Sequence, residues 1–203
     1  MTHAPKRKSG GSLTREKFLL KELQIVARLR CDGLDDEPII AAAVDDNIFQ
    51  FPTTVEGKSI AKACLARLDA LRSDALVELA AHGTPMQVTQ VNIYAMMQLY
   101  ELMRAFMVDE IGQRYLTLNP FFSSMDMNAF MTRYCAQDRQ AASWSDATIH
   151  RLKGTLHHCL VEGGYLTQGS DELNPIMLDY EVEQALRNLG DTQALAAFDC
   201  LEV

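Results

Sequence analysis

Residues 144–178 read WSDATIHRLKGTLHHCLVEGGYLTQGSDELNPIML, and this stretch decides the fold. Ser145 is placed to cap a helix, and Gly163 or Gly164 to end it. Ile149, Leu152, Leu156 and Leu160 recur on one face at helical spacing. Tyr165–Gln168 and Leu173–Met177 flank Gly169-Ser170-Asp171-Glu172, the composition of a hairpin loop. A helix running straight into a small hairpin is the outline of a winged helix. That module most often binds nucleic acid, with the helix in a groove and the wing on the backbone. The same pieces also occur inside ordinary α+β cores, and winged helices also serve protein contacts.

The chain before it reads as helices. Leu19, Leu20, Leu23, Val26, Ala27 and Leu29 make the stripe of a first helix over 14–30, ended by Gly33. A second runs over 37–46 with Pro38 early in it. Asn47–Pro52 reads as an extended linker whose aromatics plug the core. A third helix starts at Thr53 or Thr54 and reaches Arg72. Ile60, Cys64, Leu65, Leu68 and Leu71 face inward; Val55, Ser59, Lys62 and Ala66 face outward, with Lys58 and Arg67 flanking. These three helices resemble a helix-turn-helix unit, and a plain three-helix bundle fits them equally. A short helix over 73–81, a break at His82–Pro85, a long helix over 86–115 and one over 125–136 come next. An acidic amphipathic tail, 179–189 and 192–198, comes last.

The fold class expected is therefore mainly α: a helical bundle with an N-terminal helix-turn-helix-like unit and a C-terminal winged-helix-like unit carrying a small β-hairpin wing. The expected divisions are a disordered basic arm (1–12), the N-terminal unit (13–72), central helices (73–120) and the C-terminal unit with its acidic tail (121–203).

With 203 residues, 48% hydrophobic and 23% charged, the chain has ample core for one large or two small soluble domains. A net charge of −8 argues against a non-specific nucleic-acid coater. The acidity is local, however. Residues 165–203 hold 8 acidic side chains against 1 basic, whereas residues 1–72 hold 10 against 12. Five scattered cysteines without a CxxC pair indicate neither a disulfide framework nor a zinc ribbon. The most apolar run, Val91–Val108, contains Asn92, Gln98, Glu101 and Arg104. A central arginine alone costs about 2.5–3.5 kcal/mol on insertion, so the run reads as a buried helix of a cytoplasmic protein with no membrane contact.

Chemistry-bearing motifs are missing. There is no phosphate-binding glycine loop, no GxSxG, no HExxH and no deaminase pattern. His150 and His157 lie about 10 Å apart along a helix axis, too far to share a zinc ion, and Gly154 stands where an intermediate ligand would be. No catalytic residue, cofactor or metal is expected.

The order of several pieces points to a family. These are Asn47-Ile48-Phe49-Gln50; Ile60 through Arg67-Leu68 and Leu71; Phe106-Met107-Val108 with Glu110-Ile111 and Tyr115; then Trp144-Ser145, Thr148, Leu156, Gly163-Gly164 and Leu166. Over roughly 14–189 the chain resembles the BrxA family, small proteins of BREX bacteriophage-exclusion systems. The resemblance implies a mostly helical fold with two helix-turn-helix-like modules and a likeness to NusB-type antitermination factors. It implies a non-enzymatic role in phage defence through double-stranded DNA. Lys58 and Lys62, sharing a face at i and i+4, with Arg151 and Lys153, are the expected phosphate contacts. Thr53, Thr54, Ser145 and Thr148 would donate from helix starts. Arg151 faces outward while Lys153 edges the core, so the lysine pair is expected to matter more. Two rivals stand beside this: a scaffold joining other BREX proteins through the acidic C-terminal tail, and an RNA-binding regulator.

Overall fold

Short polar side chains begin several helices of the computed structural model, which describes residues 7–200. Ser73 accepts from the backbone N–H of Leu76, Ser145 from Thr148 and Asp179 from Glu181. Ser123 and Asp126 close a reciprocal capping box. Among the described residues the α-helices run, in order, α1 (Leu20–Cys31), α2 (Asp36–Asp45), α3 (Thr54–Leu71), α4 (Asp74–His82), α5 (Pro85–Leu99), α6 (Glu101–Ala105), α7 (Gln113–Leu116), α8 (Ser124–Gln137), α9 (Asp146–Glu162) and α10 (Tyr180–Asn188). A 3₁₀ turn at Gly11–Thr14 precedes α1, a π-helical segment Phe106–Gly112 links α6 to α7, and a 3₁₀ segment Thr192–Phe198 comes after α10. The mainly helical class expected from the sequence is the one the chain adopts. No helix among the described residues is long and apolar enough to cross a membrane.

The hairpin wing is a correction. Among the described residues no strand forms; Leu166 and Leu173 meet in one isolated bridge. The second arm is shared between two neighbours: Asn174 N–H donates to the Tyr165 carbonyl at 2.8 Å, while Leu173 N–H donates to the Pro120 carbonyl at 2.7 Å and Phe122 N–H to the Asp171 carbonyl at 2.7 Å. Pro175 then removes the next donor a ladder would need. In place of a wing, the chain beyond α9 forms a turn strapped to the 120–122 segment.

The long helix expected over 86–115 is also interrupted. Tyr100 is extended (φ −120°, ψ 122°), because Lys8 inserts there: Lys8 N–H donates to the Leu99 carbonyl at 2.9 Å, and Glu101 N–H to the Lys8 carbonyl at 2.8 Å. Of the expected arm, residues 1–6 lie outside the described residues, while 7–12 carry this pairing and enter the 3₁₀ turn. The first helix begins at Leu20 rather than near Thr14, since Leu19 sits at φ 52°, a left-handed backbone that a helix cannot pass through.

Two compact units are formed. One, the α3 unit, comprises Phe18–Ala95 and Leu178–Thr192; the other, the α9 unit, comprises residues 7–17, Met96–Met177 and residues 193–200. In the α3 unit, α1 packs along α4 and against α3, and α2 lies along α3. Leu23, Val26, Ile39, Leu65, Leu68 and Leu76 fill its core. Arg67, expected on a flank, is 0% exposed. Its Nη1 donates to the Phe18 carbonyl at 2.6 Å and to Asn92 Oδ1 at 3.0 Å, and Asn92 Nδ2 donates to the same carbonyl at 2.7 Å. These bonds hold the turn into α1, so the arginine is a bolt in the core rather than a surface cation. The α9 unit is built on a row of rings, Phe122, Phe106, Phe130, Tyr134 and Trp144, with neighbouring centroids 5.1–6.1 Å apart. Glu110, buried on the π-helical segment, is held by Arg114 at 2.8 Å and by Arg133.

Candidate nucleic-acid interface

Helix α9 buries Leu152, Leu156 and Leu160 of the stripe expected from spacing, with Cys159 beside them, while Ile149 is half-buried. The opposite face is left with His150, Arg151, Gly154, His157 and His158, all exposed. The only carboxylates on α9 stand at its two ends, Asp146 and Glu162. Gly154 lies in mid-helix with nothing within 4 Å of where a Cβ would be, so the face is open and low at its centre. A partner's backbone can approach such a helix closely.

Concavities lie on both flanks of that face. On one side Arg151, Thr155 and His158 meet Thr14 and Lys17 around a hollow of about 340 Å³, with no carboxylate in its lining. On the other, His150, Lys153 and His157 meet Ser123, Asn128 and Asp171 around one of about 420 Å³. Arg151 makes no ion pair among the described residues. Lys153 is half-buried and donates to Asn128 Oδ1 at 2.8 Å, which fixes its ammonium beside the second hollow. Nearby, hydrogen bonds from the Ser123 hydroxyl and N–H, backed by Arg114, hold the Asp126 carboxyl below the usual carboxylate range.

Ser145 and Thr148 sit at the start of α9 but bond chiefly to one another: their hydroxyl oxygens are 3.0 Å apart, and Ser145 Oγ accepts from Thr148 N–H at 3.3 Å. In the α3 unit, Thr53 is the extended N-cap residue of α3 and makes no side-chain cap bond, while Thr54 opens the helix. Lys58 and Lys62 are exposed along one face with Val55 and Ser59. Gly57, between them and α2, allows the close helix contact: a Cβ there would lie 2.6 Å from the Ala43 carbonyl oxygen.

The eight expected residues thus divide into two groups of four, one on each unit. Sequence reading missed the company of Arg151. Lys17 and Thr14 are remote in sequence and come to α9 through the 3₁₀ turn packed on it. A lysine shortly after a threonine in the N-terminal segment carries no signal of that placement.

A family model described as BrxA matches residues 10–190. The chain belongs to the BrxA family. A relative from Bacillus cereus (strain H3081.97), described as "BREX protein BrxA", is 30% identical over 176 residues, 86% of this chain and 88% of its own. A second of the same description, from Escherichia coli O9:H4 (strain HS), is 22% identical over 190 residues, covering 93% and 89%. The crystal structure of an uncharacterized protein from Magnetospirillum magneticum superposes with a TM-score of 0.81 at 18% identity, over 96% of this chain and 98% of that one, a likeness of fold alone. Membership of the BrxA family agrees with the resemblance drawn from the sequence pieces.

Proposed function

We propose that this chain is a non-enzymatic, DNA-binding component of a BREX phage-defence system. The single observation that carries the reading is the exposed face of α9, where Arg151 stands with Lys17, Thr14 and Thr155 around a hollow free of carboxylates. Cations beside hydroxyl donors suit a phosphate backbone, and such contacts position a protein on DNA without reading its sequence. Lys58 and Lys62 on α3, the third helix of the expected helix-turn-helix-like unit, supply a second set. Modest sequence preference is expected, since neither exposed face carries asparagine or glutamine, the usual partners of adenine. BREX membership enters through the description shared by the relatives.

A gel-shift titration with duplex DNA at several salt concentrations tests this. The expected result is binding that weakens steeply with salt, each neutralised phosphate adding about 0.9 to the log–log slope, and that weakens across all sequences on Arg151→Ala with Lys17→Ala. Binding confined to RNA would instead favour the regulator. Absence of a shift at low salt with any duplex or single strand would favour a scaffold. One observation supports that second reading: Leu118, Phe121 and Met125 are 87%, 61% and 78% exposed in one short stretch of the α9 unit, an apolar surface of the kind protein contacts cover. The acidic tail helix α10 is a weaker candidate, because its Val182, Ala185 and Leu186 are already buried within the α3 unit.

A further inference from the structure

Three side chains of different chemistry meet where the end of α1 packs on α4. Cys31 closes α1, and Glu78 and His82 lie one turn apart on α4. The sulfur of Cys31, a carboxylate oxygen of Glu78 and a ring nitrogen of His82 all lie within 4.8 Å of one another. His82 Nε2 stands 3.8 Å from Glu78 Oε1. Around one tetrahedral zinc ion, with metal–ligand distances of about 2.0–2.3 Å, ligand atoms stand roughly 3.3–3.8 Å apart. A small side-chain rotation closes the observed cluster to that size.

We propose that Cys31, Glu78 and His82 form a binding site for a zinc-class divalent cation, with a fourth position left to solvent or to a further ligand. Thiolate, imidazole and carboxylate together are the donor set of zinc and cobalt, and the sulfur disfavours magnesium and calcium. The frame that carries them is rigid. Arg28 Nε donates to the Ala81 carbonyl at 2.9 Å and Gln24 Nε2 to the same oxygen at 3.4 Å, so α1 grips α4 at the residue next to His82. All three ligands are exposed, which gives the ion a path in. A hollow of about 390 Å³, walled in part by Cys31, Glu78, Ser73 and Arg72, adjoins the site and leaves room for the fourth ligand. On binding, the thiol sulfur forms the bond to the metal and its proton passes to solvent. No electron transfer is involved. The three ligands come from two helices far apart in sequence, which is why no spacing motif announces them.

The test uses the full chain, reduced and stripped with a chelator. Calorimetric titration with Zn²⁺ is expected to show one saturable site, and titration with Co²⁺ a thiolate-to-cobalt charge-transfer band in the near ultraviolet. Cys31→Ser should abolish the band, and His82→Ala and Glu78→Gln should each weaken Zn²⁺ binding tenfold or more. His157→Ala with His158→Ala should leave both readouts unchanged. These are exposed positions, so circular dichroism of every variant should match the parent. Absence of a saturable site in the parent overturns the proposal, as does binding without a thiolate band or binding indifferent to the Cys31 and His82 changes.

Discussion

At Gly57 the α3 helix comes so close to α2 that only a hydrogen atom fits. A Cβ placed there would lie 2.6 Å from the Ala43 carbonyl oxygen and 3.4 Å from its carbon. Those atoms are backbone inside a helix and cannot swing aside, so Gly57→Ala must push the two helices apart. Overpacking of that kind costs about 1–3 kcal/mol, and alanine returns about 0.5–1 kcal/mol by its better helix propensity. The expected net effect is a loss centred on about 1 kcal/mol and reaching at most about 2.5 kcal/mol. Gly154→Ala on α9 is the matched control. Nothing lies within 4 Å of a Cβ there, so only the propensity gain of about 0.5–1 kcal/mol remains. Urea denaturation monitored by circular dichroism measures both; the midpoints should move in opposite directions at unchanged slope. A Gly57→Ala protein as stable as the parent, or both variants shifting the same way, would refute the close-contact reasoning.

Lys58→Ala with Lys62→Ala should lower DNA affinity on every sequence and flatten the salt slope by about 1.8, while each change moves stability by no more than about 0.5 kcal/mol; unchanged binding by the folded double variant would restrict α3 to packing. Arg67→Leu should cost about 2–4 kcal/mol in a thermal or urea melt, because Asn92 loses a charge-assisted donor in the core; a change under about 0.5 kcal/mol would remove the arginine from its bolting role. Asp126→Asn should cost about 0.5–1 kcal/mol at neutral pH through the capping box. Since the folded carboxyl titrates below its ordinary 3.8, its contribution is present above that pH and is lost as pH falls through the folded value, so the parent and variant stabilities should converge in acid and stay parallel from pH 5 to 8.

The parts of the fold legible in the sequence are those governed by local rules. The stripe of Leu152, Leu156 and Leu160, the cap at Ser145 and the stop at Gly163 marked α9 to within a residue or two, because period and capping act over a few positions. The outward course of Arg151 was legible for the same reason. The interruptions were not. Tyr100 leaves the helix because Lys8 bonds to the flanking backbone, and residues 171–173 bond to 120–122 while the two arms of the expected wing meet in a single bridge at Leu166 and Leu173. Both are decisions taken by segments remote in sequence. Arg67 shows the limit of the helical wheel: its position is on the edge of the apolar stripe, and bonds to the Phe18 carbonyl and Asn92 help make its burial tolerable. The approach of Lys17 to Arg151, and of Cys31 to Glu78 and His82, has the same non-local origin.

The opposition between a net charge of −8 and the proposed DNA-binding role dissolves on the scale at which a phosphate senses charge. At physiological ionic strength exposed charges are screened beyond about 8 Å, so the sum over the chain matters less than the groups that line one surface. Much of the acidity is also engaged. Asp179 and Glu181 each accept from Gln87 Nε2, at 3.0 and 2.7 Å, Glu183 pairs with Arg187 at 2.8 Å, and Asp191 accepts from the Tyr94 hydroxyl at 3.2 Å. On α9 the first carboxylates flanking Arg151 are those of Asp146 and Glu162, and the hollow it shares with Lys17 contains none. The hollow on the other flank includes Asp171, which opposes a phosphate there. Under the proposed DNA-binding role, the local balance therefore favours the Arg151 flank over the Lys153 flank for a phosphate contact, a preference that neither the total charge nor the count of basic residues on α9 distinguishes.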